Sequence, residues 1–181
     1  AGVVDGAVHS TGVATVRGVL EGAGTLINQG QLLLVNGSVG VPLANEGLLR
    51  VQGTTNGTIV GPFTNKVGGT LHLESERVGQ SDRNAWLTID QGFVNEGVVH
   101  LVSSTGGLSI RLPVNNGPLV NAPGGTIRAS GVVIRDGRTL TGSIDNQGTI
   151  DIDQTLFVTN SGGFLRSTDG DLDILSGRTL T

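Results

Sequence analysis

Apolar and polar positions in this chain alternate in short bursts, and one burst returns from end to end. Its fullest form is Phe93-Val94-Asn95-Glu96-Gly97-Val98-Val99-His100-Leu101, an apolar-x-Asn-x-Gly-x-apolar-x-apolar pattern. Asn28, Asn45 and Asn146 sit in copies that reach glycine two residues later, at Gly30, Gly47 and Gly148. The copies around Asn65, Asn121 and Asn160 reach it later, at Gly69, Gly125 and Gly163, and a degenerate first copy puts Ser10 before Gly12. Repetition of this kind defines a repeat array, and every other feature has to be placed within it.

Aligning the copies on their glycines sorts the following residues into columns. Two places after the glycine stand Ala14, Leu32, Leu49, Leu71, Val99, Ile127, Ile150 and Leu165, all apolar. Four places after it stand Val16, Leu34, Val51, Leu73, Leu101, Ala129, Ile152 and Ser167. The position between them is mixed: Thr15, Leu33, Arg50, His72, His100, Arg128, Asp151 and Arg166. Period-two alternation predicts strands with one face in a core and one in solvent. The position two before the Asn is apolar as well, from Leu26 through Phe63 and Phe93 to Val158. No stretch shows the 3.6-residue period of a helix.

Successive motif asparagines are 17, 20, 30, 26, 25 and 14 residues apart. The reading that fits is an all-β, right-handed parallel β-helix (a β-solenoid) of about 20–25 residues per coil, with like positions stacked about 4.8 Å apart. Asn28, Asn45, Asn65, Asn95, Asn121, Asn146 and Asn160 then form a corner ladder, their amides bonding backbone groups of the turn or one another along the axis. The glycine beside them supplies either positive φ or room for close backbone approach. The whole chain, 1–181, reads as one such domain.

Composition narrows the class further. Thirty-one glycines without a Gly-X-Y period exclude collagen, and the wealth of Val, Ile and Leu argues against disorder. Without cysteine there are no disulfides or thiolate metal sites. A net charge of −4 gives no general attraction to nucleic acid, and no apolar run approaches the roughly 20 residues of a membrane-spanning helix. Gly137-Arg138-Thr139-Leu140-Thr141 recurs as Gly177-Arg178-Thr179-Leu180-Thr181, so the sequence stops within a coil. With Ala1 in place of a starting Met, this suggests a processed segment: a fragment of a longer array or a fibre subunit that self-associates end to end through exposed strand edges.

Three groups are candidates for chemistry. Arg50, His72, His100 and Arg128 fall on successive coils of the outward column, a ladder that could meet an anionic glycan; the plainer alternative is a solvated strand face. Arg77, Arg83 and Trp86 lie in the longest and most charged interval, between Asn65 and Asn95. A loop there could stack Trp86 on a sugar, or simply pack it on the neighbouring coil. Asp169, Asp171 and Asp173 offer hard oxygen ligands, which makes calcium the candidate cation, although no EF-hand or calcium nonapeptide pattern is present. Asp151 and Asp153 have the i, i+2 spacing of a carboxylate pair, which any outward pair on a strand shares. There is no nucleophile elbow, Walker loop or dinucleotide fingerprint.

The motif, as in Phe93 to Leu101 and Ile144 to Ile152, resembles the β-helical repeats of large secreted bacterial surface proteins, the filamentous-haemagglutinin-like adhesins and autotransporter passengers. The resemblance covers essentially the whole chain. It implies an extracellular or cell-surface location and a structural, non-catalytic role as an adhesin stalk or a fibre- or matrix-forming module. No cofactor is then expected, and the partners would be a glycan, a host or matrix surface, or another copy. A polysaccharide-binding or polysaccharide-degrading β-helix is the alternative.

Overall fold

Period-two burial requires a second layer to cover the apolar face of every strand, and here the chain supplies it by winding on itself. The computed structural model describes residues 1–181 apart from 54, 106–108, 135, 160 and 161. Three parallel sheets run along the axis, two of eight strands and one of nine. Each coil gives one strand to each sheet in turn: Ala85–Ile89 to the first, Phe93–Asn95 to the second and Val98–Ser103 to the third. No helix occurs among the described residues. The chain is a parallel β-helix.

Pairing is in register from coil to coil, so the sequence columns become physical ones. Leu49, Leu71, Val99 and Ile127 stack in the third sheet, as do Val51, Leu73, Leu101 and Ala129, all fully buried. Leu43, Phe63, Phe93, Leu119 and Ile144 line the inside of the second sheet, with the rings of Phe63 and Phe93 tilted together at 5.0 Å. Each such side chain contributes about 1.5–3 kcal/mol when fully buried.

At the corner between the second and third sheets the motif asparagines are fully buried and bonded along the axis. Asn28 Nδ2 donates to Asn45 Oδ1, Asn45 to Asn65, Asn65 to Asn95, Asn95 to Asn121 and Asn121 to Asn146, each at 2.7 Å. The second amide proton goes to a backbone carbonyl of the next coil, for example Asn65 to Val98 O and Asn95 to Thr126 O, both at 3.1 Å. Every interior amide therefore uses both donors and its acceptor. The row ends at Ser167, whose hydroxyl accepts from Asn146 at 3.1 Å. At the other end Ser10 stands opposite Asn28, and Asn28 Oδ1 is buried without a donor.

Of the two roles open to the motif glycine, close approach is the one used. A Cβ on Gly97 would lie 2.2 Å from the Gly69 carbonyl oxygen of the preceding coil. Positive φ belongs instead to the extra glycine in the longer corners: Gly124, at φ +84, follows Pro123 in a turn closed by Gly125 N–H donating to Ala122 O. Pro then a left-handed Gly is the type II signature, and it explains why that copy reaches its motif glycine late.

The last copy is corrected. Leu156–Thr159, which includes Val158, pairs with Arg138–Thr141 in the first sheet. Leu165–Ser167 lies opposite Ile144–Asn146 in the second, and Asp171–Ile174 opposite Thr149–Ile152 in the third. Ser167 and Gly170 thus hold the Asn and Gly positions, and Leu165 and Arg166 leave the columns assigned to them from Gly163. A Cβ on Gly170 would meet Asn146 Nδ2 at 2.4 Å, the crowding found at the other motif glycines. Asn160 lies outside the described residues. Ladder positions Ser10, Asn28, Asn45, Asn65, Asn95, Asn121, Asn146 and Ser167 are then 18, 17, 20, 30, 26, 25 and 21 residues apart. Longer coils place most of their extra residues where the chain leaves the third sheet for the first.

Asn95→Ala removes one donor and one acceptor from the ladder and leaves buried partners on both sides, so it is expected to lower unfolding stability by about 3 kcal/mol or more in a denaturant titration. Ser10→Asn supplies the missing donor to Asn28 and is expected to raise stability by roughly 1 kcal/mol. A neutral or stabilising Asn95→Ala would show that the ladder carries no net energy.

Candidate functional site

The outward column of the third sheet is assembled as the sequence suggests: Arg50, His72, His100, Arg128, Asp151 and Asp173 stand opposite one another on successive coils. It is not a free basic stripe. Two residues further along the strand, Glu74 lies 9% exposed, accepts from Arg50 Nη2 at 2.5 Å and approaches His72 Nε2 at 3.4 Å. Arg128 reaches Asp153 at 2.5 Å and Asp151 at 3.3 Å. The two imidazoles meet edge to face at 5.3 Å, and His100 Nε2 lies 2.7 Å from Ser130 Oγ.

Charge in this group is settled by burial and by these pairs. Burial pushes the Glu74 carboxyl upward, but hydrogen bonds from Ser104 and Arg50, with the Arg50 charge, hold it below the usual carboxylate range. Burial lowers His72, with Glu74 pulling the other way. His100 is driven down to about 4, first by burial and then by the neighbouring His72 and Arg128. Both imidazoles are therefore neutral near pH 7, and each arginine of the column has a carboxylate. Glu74 was missed in the sequence because it lies off the aligned column; the alternation that points His72 outward points residue 74 the same way.

Residues Arg77 and Arg83 form part of a hairpin and not an open loop. Thr70–Val78 runs beyond its sheet and pairs antiparallel with Ser81–Arg83 around Gly79, at φ +62. Arg77 clamps Asp82 with Nε at 2.5 Å and Nη2 at 3.1 Å, while Arg83 faces Glu76 at 3.3 Å. Trp86 is not in the hairpin. It projects outward from the first-sheet strand Ala85–Ile89, between Asn56 and Arg111 in register. The Arg111 guanidinium lies 4.9 Å from the ring centroid, a cation–π contact, and Trp86 Nε1 donates to Ser109 Oγ at 3.3 Å. Asn56, Asp82, Asn84 and Trp86 line a small open depression of about 210 Å³. Asn56 and Arg111 could be assigned to Trp86 only once the first-sheet register was known.

The late aspartates are divided between elements. Asp171 and Asp173 are on the exposed strand Asp171–Ile174, opposite Thr149 and Asp151, and Asp169 is in the preceding turn. Among the described residues, no group of three or more His, Cys, Asp or Glu side chains is placed to hold a metal ion.

The low proton affinity of His100 fixes a sign. The unfolded chain, with an ordinary histidine near 6.5, binds the proton more tightly than the folded one, so stability is complete above about pH 6.5 and falls as the pH drops toward 4. Thermal melts across that window are expected to lose roughly 1–2 kcal/mol, since water at the outer face screens part of the effect. His100→Gln should flatten the slope; an unchanged slope would remove His100 as its source.

Comparison with protein-family models, with curated proteins and with solved structures finds no match for this chain.

Proposed function

We infer that this chain is a structural, non-catalytic β-solenoid that acts as a rigid stalk or fibre-forming module on a bacterial surface. The observation that carries the reading is the unbroken axial row of buried asparagine amides beside a continuous apolar core. Such a row favours length and stiffness over a single concave site. The neutralised outward column of the third sheet adds support, since its charged groups are held by one another. The extracellular assignment rests on the resemblance of the repeat motif to adhesin and autotransporter β-helices. Both ends of the stack present inward-column apolar side chains, Val8 at 44%, Leu172 at 49% and Leu165 at 43% exposure, which a further coil or another copy would cover. Size-exclusion chromatography with electron microscopy is expected to show concentration-dependent end-to-end filaments that Val8→Lys with Leu172→Lys disperses. Monomers at every concentration would exclude the fibre form. Depolymerisation of a uronic-acid polymer that is lost in Asp151→Asn would overturn the non-catalytic reading.

A second reading, glycan binding, is favoured by Trp86. Its indole is braced by Arg111 beside the amides of Asn56 and Asn84 and the Asp82 carboxylate, a stacking surface with polar neighbours. On a glycan array, Trp86→Ala is expected to weaken any signal by about tenfold, the worth of roughly 1.4 kcal/mol. A signal indifferent to the substitution would remove Trp86 from the site.

A further inference from the structure

The Gly-Arg-Thr-Leu-Thr repeat has a consequence in three dimensions that its sequence does not suggest. Arg138 opens the strand Arg138–Thr141 in an inward position, between Ile110 and Leu156 of the adjoining coils, and is only 2% exposed. Its guanidinium donates to the carbonyls of Leu101 at 3.2 Å and of Ser130 and Val132 at 2.7 Å. The second copy does not stack in the same register. Leu180 bridges to Leu156, so Leu180, two residues past Arg178, occupies the column of Arg138. Arg178 is thereby displaced toward the rim of a cleft of about 220 Å³ that Arg138 also lines.

This pair differs from the other buried charges. Glu74 is matched by Arg50 and Asp145 by Arg166. Around Arg138 and Arg178 the cleft is walled by Ile134, Phe157, Gln154 and Thr155, with no carboxylate among the described residues that line it. The Nε of Arg178 is sealed from solvent and has no hydrogen-bond partner. A buried cation without a counter-charge is costly, and a second cation at the same cleft adds repulsion. Burial, with a further push from Arg178, lowers the Arg138 guanidinium to about 10.

We propose that this cleft binds a compact oxyanion, a carboxylate, sulfate or phosphate group, held between the Arg138 and Arg178 guanidiniums. The guanidinium N–H groups not spent on the three carbonyls suit such groups, and the anion supplies the missing charge. The Gln154 amide and the Thr155 hydroxyl offer further donors, and the apolar side formed by Ile134 and Phe157 accepts the carbon skeleton of an organic acid. Phe157 is held against Gly137, where an added Cβ would lie 2.6 Å from the ring, so the floor of the cleft also depends on the repeat's glycine.

The test is isothermal titration calorimetry of the full chain with sodium sulfate, phosphate, acetate and galacturonate at constant ionic strength. Saturable one-to-one binding of at least one of them is expected, with a rise in melting temperature. The acetate and galacturonate arms separate a carboxylate ligand from the sulfate and phosphate class. Arg178→Gln is expected to weaken binding by about tenfold or more while melting as the parent does without ligand. Arg17→Gln, at the far end of the stack, should bind normally. Absence of saturable heat with all four anions up to about 10 mM would overturn the proposal, as would undiminished binding by Arg178→Gln. Arg138→Gln should abolish binding, and if it does not fold, Arg178→Gln decides alone.

Discussion

The axial hydrogen bond from one asparagine amide to the next is the interaction on which the rest of this structure depends. It fixes coil-to-coil register at a single corner, and the same register then sets every apolar column. A one-residue slip would turn a whole strand's apolar set outward and at the same time leave a buried amide unpaired. The two penalties reinforce each other. Because every amide in the row points the same way along the axis, each bond polarises its neighbours and the row strengthens as a unit. Asn28 shows the limit of that arrangement: its acceptor faces Ser10, whose side chain does not complete the row.

Once register is fixed at that corner, length can vary elsewhere. Coils of 17 to 30 residues share one core because the surplus is placed mainly at the junction from the third sheet to the first. Three surface features lie near that junction: the Arg77–Asp82 hairpin, the depression beside Trp86 and the cleft of Arg138 and Arg178. The asparagine corner, crowded to within 2.2 Å at Gly97, admits only short additions, the tight turns that hold Gly68 and Gly124. One corner carries the scaffold and another carries the variation.

Charge follows the same division. On the regular faces the arginines are matched across coils, Arg50 with Glu74 and Arg128 with Asp151 and Asp153; like charges stack where Asp173 stands opposite Asp151, on an exposed strand. The two histidines escape mutual repulsion by remaining neutral. The cleft at the variable junction keeps two guanidiniums with no acidic residue among the described residues of its lining.

By itself the sequence determined the fold: alternation around Asn-x-Gly is a local pattern repeated often enough that a single architecture satisfies all copies at once. It also identified the ladder asparagines from Asn28 to Asn146, though it extended the row to Asn160 where Ser167 takes the next position, and the stacked pair His72 and His100. Local pattern failed where two strands share one vocabulary. Val158-Thr159-Asn160 looks like a motif copy, yet its strand belongs to the first sheet, and only pairing with Arg138–Thr141 reveals this. Side-chain partnership was equally hidden. Glu74 under Arg50, Arg111 against Trp86, and Arg178 offset from Arg138 are 24, 25 and 40 residues apart in the chain. Coil lengths vary, so no fixed sequence spacing specifies which residues become neighbours; backbone pairing does, and that exists only in the folded molecule.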